Sequence, residues 1–203
     1  MIYTNSQKIE ILTRLDIVLD TIKNRFLPTF DRISDEANTI YEQTLEKSSE
    51  FFNPETMDES SFFDEAMSEA SYFYTLQNEM KQEFLNHQST LVYHIFELDC
   101  KKMFPLTYSN CMVLEQELSK LGIDISNISN WYKINTELRL INNVIKHGKG
   151  RSYSQLKPLK ANLFSNDFNF LITSEVKLTI IDIENYINYI KNFWIEFFDK
   201  VIK

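Results

Sequence analysis

Glycine and proline are nearly missing from this chain, with three and four in 203 residues. A β-sandwich or barrel needs a turn about every ten residues, so this scarcity excludes both and favours long helices. Cysteine is as scarce. Cys100 and Cys111 have no CxxC spacing and no histidine at ligand distance in sequence, which excludes a disulfide framework and a zinc site and leaves them as reduced core residues. No apolar run approaches the roughly 18 residues of a membrane span. The N-terminal Met-Ile-Tyr-Thr-Asn-Ser-Gln-Lys lacks the basic-then-apolar order of a signal peptide. A soluble, cytoplasmic protein without membrane contact is therefore expected. Phosphate-loop, dinucleotide, nucleophile-elbow and kinase signatures are absent as well.

One further absence is local. The formal net charge is -8, yet from Leu138 to Asn166 there is no Asp or Glu, while Arg139, Lys146, Lys149, Arg151, Lys157 and Lys160 are present. From Asp31 to Asp99 the balance reverses, with sixteen acidic residues against Arg32, Lys47 and Lys81. Charge distribution decides which surface can hold an anion. This chain is not a general nucleic-acid coat, and a phosphate-bearing ligand must be met around residues 139–160.

What is present is helical periodicity. Ile9, Leu12, Leu15, Ile17, Val18, Leu19 and Ile22 predict a helix from about Ser6 to Arg25, interrupted at Pro28, and a second helix from Thr29 to Phe51. A long helix follows from about Ser61 to Met103, with Ser60 or Ser61 as N-cap, a bend or break between Ala70 and Gln82, and a core stripe of Phe84, Leu91, Val92, Ile95, Phe96 and Leu98. Shorter helices are expected from Asn110 to Leu121 and from Asn130 to His147, each stopped by a glycine, Gly122 or Gly148. The alternation from Phe168 to Ile181 predicts a small β-hairpin turning near Ser174, before an aromatic closing helix from Ile183 to Ile202. The fold class is thus an all-α helical bundle with one hairpin. It forms a single domain over 1–203, in which residues 1–55 are an N-terminal extension and 61–203 the core bundle.

Chemistry concentrates in Glu137-Leu-Arg-Leu-Ile-Asn-Asn-Val-Ile-Lys-His-Gly-Lys-Gly-Arg151. At about 100° per residue, Ile134, Leu138, Ile141 and Ile145 form a core stripe, and Arg139, Asn143 and His147 stand at i, i+4 and i+8 on the opposite side. Asn142 and Lys146 flank this ridge. Leu140 and Val144 beside it suggest that the face meets another surface, such as a second subunit. The ridge offers a histidine that changes charge near neutrality, an arginine able to hold phosphate bidentately, and amides that orient either. Such groups suit RNA cleavage, with His147 as general acid or base and Arg139 on the phosphate. They also suit a structural role, with His147 capping the last turn at the negative dipole end and Arg139 in a surface ion pair to a neighbouring Glu. Beyond the helix a basic loop follows, in which Gly148-Lys149-Gly150 offers a weak backbone nest for phosphate.

The segment Leu138-Arg-Leu-Ile-Asn-Asn-Val-Ile-Lys-His-Gly148 resembles the signature helix of the HEPN superfamily, all-α proteins that often carry Arg, then Asn or Asp, three variable residues and His. The resemblance implies a helical homodimer whose paired motif helices line a cleft, and metal-independent ribonuclease activity in a toxin–antitoxin or antiviral-defence setting. RNA or a nucleotide and an antitoxin or other defence protein are the implied partners, and no cofactor is implied. His147 and Asn143 match the motif, but Asn142 stands where the family has Arg, so Arg139 or Arg151 must substitute or the chain is an inactive binding module. By this reading His147, Asn143 and Arg139 are catalytic, and Asn142, Lys146, Lys149 and Arg151 bind substrate.

His94 and Glu97, at i and i+3 on the long helix, are placed behind the site as a supporting acid–base pair or as hydrogen-bonded core residues. Glu83 with His87 lacks the second Glu-x-x-His helix of a carboxylate-bridged metal bundle, and no metal site is expected.

Overall fold

The computed structural model describes residues 3–53, 55–56, 58–104, 111–164 and 176–202. Among these it is an all-α protein of seven α-helices joined by short 3-10 and π segments. They are α1 (Asn5–Thr21), α2 (Ile33–Glu50), α3 (Glu59–Met103), α4 (Cys111–Lys120), α5 (Arg139–His147), α6 (Arg151–Leu159) and α7 (Ile180–Val201). No described helix is long and apolar enough to cross a membrane.

Two regions differ in how they are held. The core bundle gathers α1, the second half of α3, the motif helix ending in α5, and α7. α7 lies at its centre, because Ile183, Ile187, Ile190, Phe193, Trp194, Phe197 and Phe198 leave it almost no exposed apolar face. Phe96 of α3 meets the Phe193 ring edge-on at 5.4 Å, and Trp131 meets it at 5.6 Å. Burying each such ring contributes about 2–3 kcal/mol before any ring–ring preference. α1 runs antiparallel to α7, tied by Lys8–Asp199 at 2.6 Å and Lys23–Glu184 at 3.0 Å, and Arg14 reaches the fully buried Asp99 of α3. Burial pushes the Asp99 carboxyl above its ordinary range, against the opposing pull of Arg14. Ile11, Leu15 and Ile22 belong to the core, so the first helix is part of the bundle rather than of an extension.

The second region is an antiparallel arm of α2 and the first half of α3, whose buried apolar residues reduce to Ile33, Ala37, Ala66 and Ala70. The turn at Pro28 makes it possible. A π segment (Ile22–Phe26) and a 3-10 turn (Leu27–Phe30) redirect the chain, and Phe26 and Phe30 pack on Phe84 where the arm leaves the bundle.

Several expectations are corrected. α3 is an uninterrupted 45-residue helix rather than a broken one, and its cap is Asp58, whose side chain accepts from the Ser60 N–H. Its core stripe is Leu85, Val92, Tyr93, Phe96, Cys100 and Met103, while Leu91 and Leu98 are exposed. The first strand expected for the hairpin lies within 165–175, outside the described residues. Of the second, Val176–Thr179 is neither helix nor strand, the Lys177 N–H donating to the Leu163 carbonyl at 2.8 Å, and Ile180 and Ile181 already belong to α7. The basic loop is also corrected: from Arg151 onward it is helix α6. Cys100 is a buried free thiol, as expected, and the Cys111 side chain lies outside the described residues.

Gly122 and Gly148 do stop their helices, with φ of +73° and +65°. At Gly122 the stop is a full Schellman motif: Ile123 N–H reaches Leu118 O at 2.9 Å and Gly122 N–H reaches Ser119 O at 2.9 Å.

Candidate functional site

The motif helix runs from Trp131 to His147, but Lys133–Leu138 is π-helical and regular α-helix resumes at Arg139. Across this step the Arg139 backbone N–H bonds to the carbonyls of Ile134 and Thr136. The Asn135 carbonyl, which an i→i−4 ladder would assign to that N–H, is thereby released. The Arg139 side chain takes it, Nε donating to Asn135 O at 2.7 Å. That bond draws the guanidinium toward the helix N-terminus, away from His147.

Around α5, Leu140, Val144, Ile141, Leu138 and Asn142 are buried, and at about 100° per residue they span an arc of roughly 200°. Leu140 and Val144 are therefore covered by this chain itself and supply no argument for a second subunit. The open arc carries Arg139 and Asn143, both half-buried, with Lys146 and His147 exposed at its C-terminal end. Asn142 is only 3% exposed and its Oδ1 accepts no hydrogen bond among the described residues. It lies beneath the ridge, not on the open arc.

Gly148 turns the chain sharply, and α6 folds back against α5 with Leu156 buried between them. Arg151, the first residue of α6, is exposed and follows His147 by only four positions (147 to 151). Lys149 and Lys157 are exposed on the same element pair, Lys157 lying over the Tyr153 ring at 5.4 Å. Among the described residues no carboxylate pairs with Arg139, Lys146, Arg151 or Lys157. These four cations therefore present unneutralised charge.

Lys160 is neutralised, and it leads to a cluster that sequence reading missed. Glu137, on the π segment and 4% exposed, binds Lys133 Nζ at 2.5 Å and Lys160 Nζ at 3.0 Å, and accepts from the Tyr186 hydroxyl at 3.4 Å. One carboxylate thus ties the motif helix to the end of α6 and to α7. Its hydrogen bond raises the Lys133 ammonium above the ordinary lysine range, and burial first, with the Glu137 charge second, pushes the Tyr186 phenol up. The i, i+4 spacing of Lys133 and Glu137 is a visible sequence signal; Lys160 and Tyr186 leave none.

His94 does not support the site from behind. It is exposed on α3, with Nδ1 4.0 Å from Glu97 Oε2, the geometry of a loose surface pair. Among the described residues no cluster of three His, Cys, Asp or Glu side chains could hold a metal.

Comparison with protein-family models, with curated proteins and with solved structures finds no match. No family model, curated protein or solved structure therefore bears on the likeness to HEPN proteins.

Proposed function

We propose that the chain is a HEPN-like RNA-binding protein that cleaves RNA without a metal ion, at the C-terminal end of the motif helix. The observation that carries this reading is the exposed His147 beside cations that have no acidic partner among the described residues, Lys146 on the same helix and Arg151 across the Gly148 turn. His147 would move the proton between the 2′-hydroxyl and the leaving oxygen, and Arg151 would hold the phosphate bidentately as negative charge develops on it. Arg139 is a poorer anchor for that phosphate. It stands two turns back, about 12 Å along the axis, and its Nε is held by the Asn135 carbonyl. Asn143, one turn from His147 on the open arc, would orient the substrate. A second copy would complete the cleft by bringing two such ends together.

A second reading is an inactive RNA- or nucleotide-binding module, or a protein-interaction module of a defence or toxin–antitoxin system. Buried Asn142, at the motif's arginine position, favours it, because that position cannot reach a ligand.

The test is incubation of wild type, His147→Ala, Arg151→Ala and Arg139→Ala with total RNA in EDTA, read by gel. Cleavage is expected for wild type, with a loss of about 10²-fold or more in His147→Ala and a greater loss in Arg151→Ala than in Arg139→Ala. RNA retained in a shift assay without cleavage would favour the second reading, and neither cleavage nor retention would overturn both RNA readings.

A further inference from the structure

A groove runs the length of the acidic arm. Two cavities open along one side of it. One of about 650 Å³ is lined by Ser34, Ala37, Tyr41, Met67, Ala70 and Tyr74, and one of about 230 Å³ toward the tip by Leu45, Ser49, Phe52, Phe62 and Phe63. On α2 the lining positions 34, 38, 41, 45 and 49 repeat at helical spacing, as do 63, 67, 70 and 74 on α3. Both cavities therefore belong to one groove between the two helices, about 27 Å long for roughly 18 residues. Its floor is made of small residues, Ser34, Ala37, Ala70 and Ser71, and its walls stand in solvent, with Met67 59%, Phe63 47% and Tyr74 47% exposed. Two helices with a small-residue floor and aromatic walls form the receiving half of a helix-in-groove contact.

Charge identifies what fits. One step around each helix from the lining positions lie Asp35, Glu42 and Glu46 on α2 and Asp64 on α3, all exposed and without a cationic partner among the described residues. By helical spacing Lys47 falls on another face, while Arg32 and Lys81 lie at the bundle end, beyond the last lining positions Ser34 and Thr75. We infer that this groove docks a basic amphipathic helix of a partner protein, about 18 residues long, with aliphatic or aromatic side chains at i, i+4, i+7 and i+11 and Lys or Arg flanking them. Among the described residues a second copy does not supply such a helix. Its arm is equally acidic, α6 has nine residues and one buried apolar side chain, and the apolar stripes of α5 and α7 lie in the core. An anionic membrane is repelled by the same carboxylates. The inference is independent of RNA cleavage.

The test is selection from a displayed library of helical peptides of about 18 residues, randomised at the stripe and flanking positions and panned against the whole chain. Recovered binders are expected to carry apolar residues along the stripe and Lys or Arg beside it. Fluorescence anisotropy of a labelled binder should weaken about tenfold or more with Met67→Glu, and likewise with Glu42→Lys/Glu46→Lys, while circular dichroism and melting temperature stay unchanged. Because these side chains are exposed, both variants preserve the fold. No binders, binders without basic flanks, or equal binding by Met67→Glu would overturn the assignment. So would sedimentation showing that wild type self-associates and Met67→Glu does not, which would give the groove to a second copy.

Discussion

The groups around Glu137 respond to pH in one direction. In the unfolded chain tyrosine ionises near pH 10 and lysine near 10.4. In the folded chain both Tyr186 and Lys133 hold their protons to higher pH. Above about pH 10 the unfolded state therefore binds fewer protons than the native state, and stability falls as pH rises. The contribution is fully present below the unfolded values and is lost as pH climbs through the folded ones. Tyr3, raised by burial, adds to the same loss. Melting temperature should decline between about pH 10 and 11, and Tyr186→Phe should make that decline shallower. At pH 7 the variant should cost no more than about 1 kcal/mol, because the hydroxyl gives Glu137 only a long 3.4 Å bond. An unchanged alkaline slope in Tyr186→Phe would mean that other groups govern it. At this scale the sequence was half readable. The ridge of Arg139, Asn143 and His147 follows from helical spacing, but the π step redirects Arg139, and the burial of Asn142 depends on which neighbours cover the helix.

At the scale of elements, the turn between α5 and α6 joins His147 to Arg151, and its two glycines are not equivalent. Gly148 sits at φ +65°, ψ −145°, where a side chain strains the backbone although a Cβ there would meet nothing within 4 Å. Gly150 has φ −171°, extended backbone open to any residue, and is equally free of contacts. Gly148→Ala should therefore cost about 1–3 kcal/mol in urea denaturation and weaken RNA retention by displacing Arg151. Gly150→Ala should stay within about 0.5 kcal/mol of wild type. Equal effects would show that the turn does not position the site. Helix stops were legible because Gly122 and Gly148 are rare residues at the ends of periodic runs. α6 was not, since among its nine residues only Leu156 is fully buried and Pro158 stands in its last turn. The alternation of Val176 and Leu178 read as a strand, and both are buried. Side chains of α3 satisfy part of their backbone. Asn86 Nδ2 donates to Val176 O at 2.7 Å, Leu178 N–H donates to Asn86 Oδ1 at 3.3 Å, and Gln82 Nε2 donates to Leu178 O at 2.9 Å. An extended segment can be satisfied by amide side chains as well as by a sheet, and period-2 burial does not distinguish the two.

Over the whole molecule the charge asymmetry becomes spatial. The acids of residues 31–83 lie largely on the arm, and the unpaired cations lie on the bundle around α5 and α6. The all-α class and this segregation were both visible in the sequence. The arm itself was not, because an unbroken α3 serves the bundle with one half and α2 with the other, and apolar periodicity does not report that division. If the island binds RNA, affinity must depend on salt through the phosphates it neutralises. Arg139, Lys146, Arg151 and Lys157 are four cations without an acidic partner among the described residues, so the slope of log affinity against log salt for single-stranded RNA should be about −3. Lys146→Ala should reduce its magnitude by about 0.7 and weaken binding evenly across sequences. Glu42→Lys on the arm should leave the slope unchanged, since it adds no cation to the island. Filter-binding titrations over a range of salt measure all three. A wild-type slope near zero would remove the island as the binding surface, and a slope altered by the arm variant but not by Lys146→Ala would move RNA to the other end of the molecule.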